Sequence, residues 1–101
     1  MNLTVVTTTL DADTDLLKIC EWYETQSPGL DIEFLEELRT LTEQIRTFPH
    51  SFPIAHKDLR LTLLNRFPYK VLFTIAEEEK EAAIIAVVHN ARHPRVWKRR
   101  V

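Results

Sequence analysis

The apolar residues of this chain change their spacing once, across the prolines at 49 and 53, and that change limits what the chain can fold into. Before it, Phe34, Leu38, Leu41, Ile45 and Phe48 recur at helical intervals with acids between them. After it, Leu59, Leu61 and Leu63 alternate with Arg60 and Thr62, the period of a half-buried strand. Helices that come first and strands that follow in one run give an α+β domain rather than alternating α/β units. With 101 residues, the chain has length for one such domain, taken as residues 1–101.

The remaining elements fit this frame. Residues 2–9, NLTVVTTT, are rich in β-branched side chains and read as a short strand. From Leu10 onward, Leu16, Ile19, Cys20 and Tyr23 fall on one helical face, and Asp11, Asp13 and Asp15 near the start suit the positive end of the helix dipole. Ser27-Pro28-Gly29 ends this helix, and a second runs from Leu30 to about Thr47, stopped by Pro49. The pair is expected as an antiparallel hairpin lying on one face of a sheet. Residues 49–57, with two prolines, read as a loop. Strands then follow over 59–63, 68–76 and 82–88, with Glu77-Glu78-Glu79-Lys80 as a charged link, so the sheet is expected as a three-stranded antiparallel meander. Pro68 opens its strand, where a missing N–H matters least. Residues 94–100 are left open between a short helix and an extended basic tail.

Composition narrows the function classes. A single cysteine, Cys20, excludes an internal disulfide and a multi-cysteine metal site, and no histidine pair has metal-ligand spacing, so neither metal nor cofactor is expected. The N-terminus lacks a basic n-region, and no apolar run approaches the ~20 residues that span a bilayer. The expectation is a cytoplasmic protein away from membranes. Net charge is −2, but residues 1–50 hold ten acids against three Lys/Arg, while residues 51–101 hold five acids against ten. The last ten residues carry five Lys/Arg and no acid. Such asymmetry points to a partner that meets one face.

Three stretches, in order, carry a likeness: WYETQSPGL at 22–30, RFPYKVLFTI at 66–75 and AVVHNARHPRVW at 86–97. Together they resemble the RelE/ParE family of type II toxin–antitoxin toxins, over nearly the whole chain. The His-x-x-Arg-x-Pro-x-x-Trp pattern of that family is matched here by His89, Arg92, Pro94 and Trp97. The resemblance implies a β-α-α-β-β-β fold and a small bacterial toxin that arrests growth. It also implies a cognate antitoxin that wraps it with a largely helical segment in a hetero-oligomer. The family divides by target, into ribosome-dependent mRNA endonucleases that need no metal and poisons of DNA gyrase.

Both targets can be weighed on the residues. RNA cleavage by the 2′-hydroxyl needs an acid, a base and cations for the phosphorane charge. His89 has the pKa range for proton transfer, Arg60, Arg66 and Arg92 the fork that holds phosphate, and Tyr69 a ring on which a base stacks. The family's mRNA cutters, by comparison, carry a dense Lys/Arg cluster around the middle strands, a strongly basic balance and often a tyrosine near the C-terminus; here residues 51–75 hold only Lys57, Arg60, Arg66 and Lys70, the net charge is slightly acidic, and no tyrosine follows Tyr69. With the WYETQSPGL and FPY forms, the resemblance leans to the gyrase-directed branch, which implies Arg60, Arg66, Tyr69, Arg92, Trp97 and Arg100 as target-binding residues. His89, Arg92 and Arg66 are the catalytic set if the chain is a nuclease. An inactive homologue that only binds its partner is the third reading. Taken singly, each of these residues reads first as structural: His89 as a hydrogen-bonded rim histidine, Tyr69 and Trp97 as packing rings, Arg66 as a solvated turn residue, and Arg92 as the partner of a helix acid such as Glu24.

Overall fold

The computed structural model describes residues 2–101. Strand β1 (Val5–Thr8) leads into helix α1 (Leu10–Gln26), and helix α2 (Leu30–Thr47) follows after a short break. The helices form where the sequence places them. The hydroxyl of Thr9 accepts the Ala12 N–H at 3.2 Å and caps α1. Between the helices Gly29 sits at φ +89°, a left-handed conformation that favours glycine and turns the chain sharply back. Along α2, Phe34, Leu38, Leu41 and Ile45 are buried, but Phe48 is 65 % exposed. The helical register stops one step short of it, because Phe48 is already the C-cap with non-helical backbone.

Residues 49–57 are more ordered than the expected loop. Pro49–Ser51 forms a 3-10 turn and Ile54–His56 forms strand β2. Strand β2 precedes β3 (Leu59–Leu63), β4 (Tyr69–Ala76), β5 (Glu81–His89) and a short helix α3 (Arg95–Lys98). The antiparallel run therefore has four strands rather than three. Proline hides β2 in the sequence but is compatible with it, since β2 lies at an edge of the five-stranded order β1-β5-β4-β3-β2. At the other edge, β1 pairs with β5 in parallel, Val5 opposite Glu81 through Thr8 opposite Ile84.

Both sheet faces are covered. The helix hairpin packs on one, where Phe34, Ile45, Val71, Phe73, Ile84 and Val87 belong to a single buried cluster. The alternating leucines point the other way. Leu59 and Leu61 pack with Leu72, Ile85, Val88 and Trp97. The basic tail thus ends as α3 folded under the sheet, with Trp97 4 % exposed. No helix among the described residues is long and apolar enough to cross a membrane.

Candidate functional site

The site is set by a mismatch in strand length. Strand β5 runs to His89, but β1 accompanies it only as far as Ile84. At that point β5 carries a bulge: Leu72 pairs with Ala86 and Phe73 with Ile84, so Ile85 is an extra residue. The chain leaves β1 at Thr9 and returns alongside as α1. A stripe of α1 at helical spacing, Asp15, Lys18 and Trp22, then faces the uncovered half of β5 across a cleft of about 290 Å³. Tyr69, Val87, Val88 and His89 line it from the sheet, and Arg92, Val96 and Arg100 from the C-terminal segment.

One end of the cleft is closed by a charged clamp. The Asp15 carboxylate accepts both guanidinium nitrogens of Arg100, at 2.7 and 3.0 Å, and the Val87 backbone N–H at 3.0 Å. Arg100 also donates to the Ile85 carbonyl at 3.0 Å. The bond to Asp15 holds the Arg100 guanidinium even further above its ordinary pKa, with Asp11 adding to the effect. The pair therefore takes the place of a neighbouring strand beside the bulge, satisfying one acceptor and one donor of β5.

The other end is open and cationic. Tyr69 lies opposite His89 in the β4–β5 ladder, their rings 5.3 Å apart and nearly perpendicular. The Ala91 N–H donates to His89 Nδ1 at 3.0 Å, so a neutral His89 carries its proton on Nε2. Tyr69 also packs against Tyr23 and Phe34, and burial raises both tyrosine pKa values. Arg92 and Lys18 are exposed and form no ion pair among the described residues. Trp22 is 57 % exposed, a large apolar surface at the rim. The site can thus present two cations, an aromatic face and an imidazole to one ligand.

The family profile described as the ParE toxin of type II toxin–antitoxin systems (parDE) matches residues 6–94. The chain belongs to the ParE toxin family. Solved structures share its fold. A chain of the chromosomal ParDE toxin–antitoxin system from P. aeruginosa is 16 % identical and superposes with a TM-score of 0.71, covering 86 % of this chain and 96 % of that one. A chain of the RelBE2 toxin–antitoxin complex from Mycobacterium tuberculosis is 20 % identical, with a TM-score of 0.59, covering 91 % and 97 %. No curated protein sequence matches the chain.

The chain gathers some of the expected residues and spends others on its own fold. Tyr69, His89 and Arg92 come together in the cleft. Arg60 does not join them. It projects toward the helix-side face and donates to the carbonyls of Phe52 at 2.6 Å and His50 at 3.5 Å. Arg66 is an exposed turn residue, but it pairs with Glu33 of α2 at 2.9 Å, and the Asn65 and Arg66 N–H groups bond to Glu37, so the solvated turn is also fastened to the helix. Trp97 is buried and Arg100 clamped, so the tail from 94 to 100 is a packed element. Helix acids do pair with the basic half, but through Arg66 and Arg100 rather than through Arg92 with Glu24. Sequence reasoning missed Asp15, Lys18 and Trp22. Their 15-18-22 spacing is a readable helical stripe, but two of its three members are charged and it lies beside the apolar face of Ile19 and Tyr23 that drew the assignment.

Proposed function

We propose that this chain is the toxin of a toxin–antitoxin pair, that it arrests bacterial growth by engaging DNA gyrase through the cleft face, and that a cognate antitoxin silences it by covering that face in a hetero-oligomer. The observation that carries the choice of a protein target is the use already made of the arginines. RNA cleavage asks for several cations around one phosphate. Of the three arginines suited to that task, Arg60 is bound to backbone carbonyls and Arg66 stands outside the cleft beside Glu33, which leaves Arg92 in it. An exposed tryptophan and two unpaired cations on a rim are instead the materials of a protein interface, where aromatic and arginine side chains supply most of the binding energy. The antitoxin is supported by the two structural relatives, which belong to a ParDE system and a RelBE2 complex.

A second reading is favoured by the meeting of His89, Tyr69 and Arg92. An imidazole whose Nδ1 is occupied offers Nε2 to a reacting group, and Tyr69 gives a base a ring to stack on. In that case the chain is a ribosome-dependent mRNA endonuclease. Brief expression in bacteria, followed by mapping of mRNA 5′ ends and of DNA breaks, separates the two. Double-strand breaks with intact messages support gyrase poisoning. Codon-phased cuts without breaks overturn it in favour of the nuclease.

A further inference from the structure

Beyond Ile84, the backbone groups of β5 that face away from β4 can be counted. The register fixes them: Lys70 pairs with Val88, and the Asn90 N–H bonds to the Pro68 carbonyl at 2.8 Å, so Val87 and His89 point toward the cleft. The Ile85 carbonyl is taken by Arg100 and the Val87 N–H by Asp15. The His89 carbonyl accepts the Arg92 N–H at 2.9 Å. Two groups are left without a partner among the described residues, the Val87 carbonyl and the His89 N–H.

The geometry points to a docking site for an extended, acidic segment of a partner protein, added as a strand parallel to β5 along the line that β1 abandons. The direction follows from which groups are free. In an antiparallel pair one residue offers both its N–H and its carbonyl to the guest. At Val87 the N–H is occupied, and at His89 the carbonyl is. In a parallel pair a guest residue bridges the carbonyl of one residue and the N–H of the next but one. Those are the two groups that remain, and the guest residue lies opposite Val88. A helix cannot use them, because its own backbone groups are bonded along its length. The chemistry of the guest follows from the walls. Lys18 and Arg92 favour carboxylates, and the exposed ring of Trp22 favours an apolar neighbour. Sheet-edge addition takes its affinity from backbone bonds and its specificity from alternate side chains.

This inference rests on the reading of the cleft as a partner-binding face, but its test does not depend on growth arrest. The full chain, labelled with 15N, is titrated with a capped pentapeptide of alternating glutamate and valine. The expected result is a saturable shift of the His89 amide with slowed solvent exchange. Two N-methylated versions follow, one blocked at the glutamates and one at the valines. Only alternate N–H groups face β5, so one version loses about tenfold or more in affinity and the other keeps it. The Lys18→Glu chain weakens the glutamate peptide and gains affinity for a lysine–valine counterpart. Equal effects of the two methylations, no shift at His89 with peptide in the millimolar range, or saturation of the cleft by an oligothymidylate or by a second copy of the chain in place of the peptide would each overturn the assignment. Loss of arrest in cells with peptide docking intact would count against the target reading alone.

Discussion

Removing the Asp15 carboxylate is expected to destabilise the whole domain, because one side chain serves both α1 and the uncovered half of β5. Asp15→Ala deletes two bonds to Arg100 and one to the Val87 N–H. It leaves a guanidinium held by the Ile85 carbonyl and by Asp11 at 4.0 Å. Breaking a fully buried pair costs about 3–5 kcal/mol, and a hydrogen bond to a charged group contributes about 1.5–3. Here the two side chains retain 15 % and 19 % exposure, so water partly replaces what is lost. A net cost of about 2–3 kcal/mol is expected, discounted for that screening. In a domain of this size each 1 kcal/mol moves Tm by about 4 °C, so the melt falls by about 8–12 °C. Thermal and urea unfolding of Asp15→Ala, Arg100→Ala and the double variant give the coupling directly, expected at about 1–2 kcal/mol. If Asp15→Ala melts with the parent chain, or if the two single changes simply add, the clamp is not what secures the strand end.

Three further outcomes follow from the same structure. Trp97→Ala removes a buried ring from the second face and is expected to cost about 3 kcal/mol or more in urea unfolding, so pairing it with a change at Arg92 unfolds the chain rather than isolating a surface effect. Lys18→Glu with Arg92→Glu lies on exposed positions, leaves the melt within about 0.5 kcal/mol of the parent, and abolishes growth arrest on expression; full arrest would refute the placement of the site. Burial raises the pKa of both Tyr23 and Tyr69, so the folded state holds those protons more tightly than the unfolded chain; their contribution to stability is complete below the ordinary tyrosine pKa near ~10 and is lost as pH rises above it, which urea midpoints over an alkaline series will read.

The two helices were legible almost to the residue, because a long amphipathic period and a Ser-Pro-Gly break leave few alternatives. The turn of the β4 strand at Pro68 was legible for the same local reason. Strand β2 was not, since three residues directly after Pro53 carry no period of their own and are held by pairing with β3. The direction of the leucines in β3 has no signature in the sequence. Alternation says that one side is buried but not which side, and here the buried side looks onto Trp97 rather than onto the helices. The site divides in the same way. Tyr69, His89 and Arg92 stand at strand ends whose register the meander fixes, so their meeting was accessible. The commitments of Arg60 to backbone carbonyls and of Arg100 to Asp15 are contacts across 8 and 85 positions, and no local pattern announces them.

The extra residue at Ile85 has an effect out of proportion to its size. A strand has two phases, and a bulge switches a chain from one to the other. Up to Ile84 the groups of even-numbered residues face the neighbouring edge; beyond the bulge it is the odd-numbered ones, Val87 and His89. Removing Ile85 itself would close the ladder, yet each later residue would keep its partner in β4, so Val87 and His89 would face the cleft as before. What would be lost is the outward carbonyl on which Arg100 is held, and with it part of the clamp. The bulge thus gives the C-terminal segment an anchoring point on β5 without disturbing the register that aims the site.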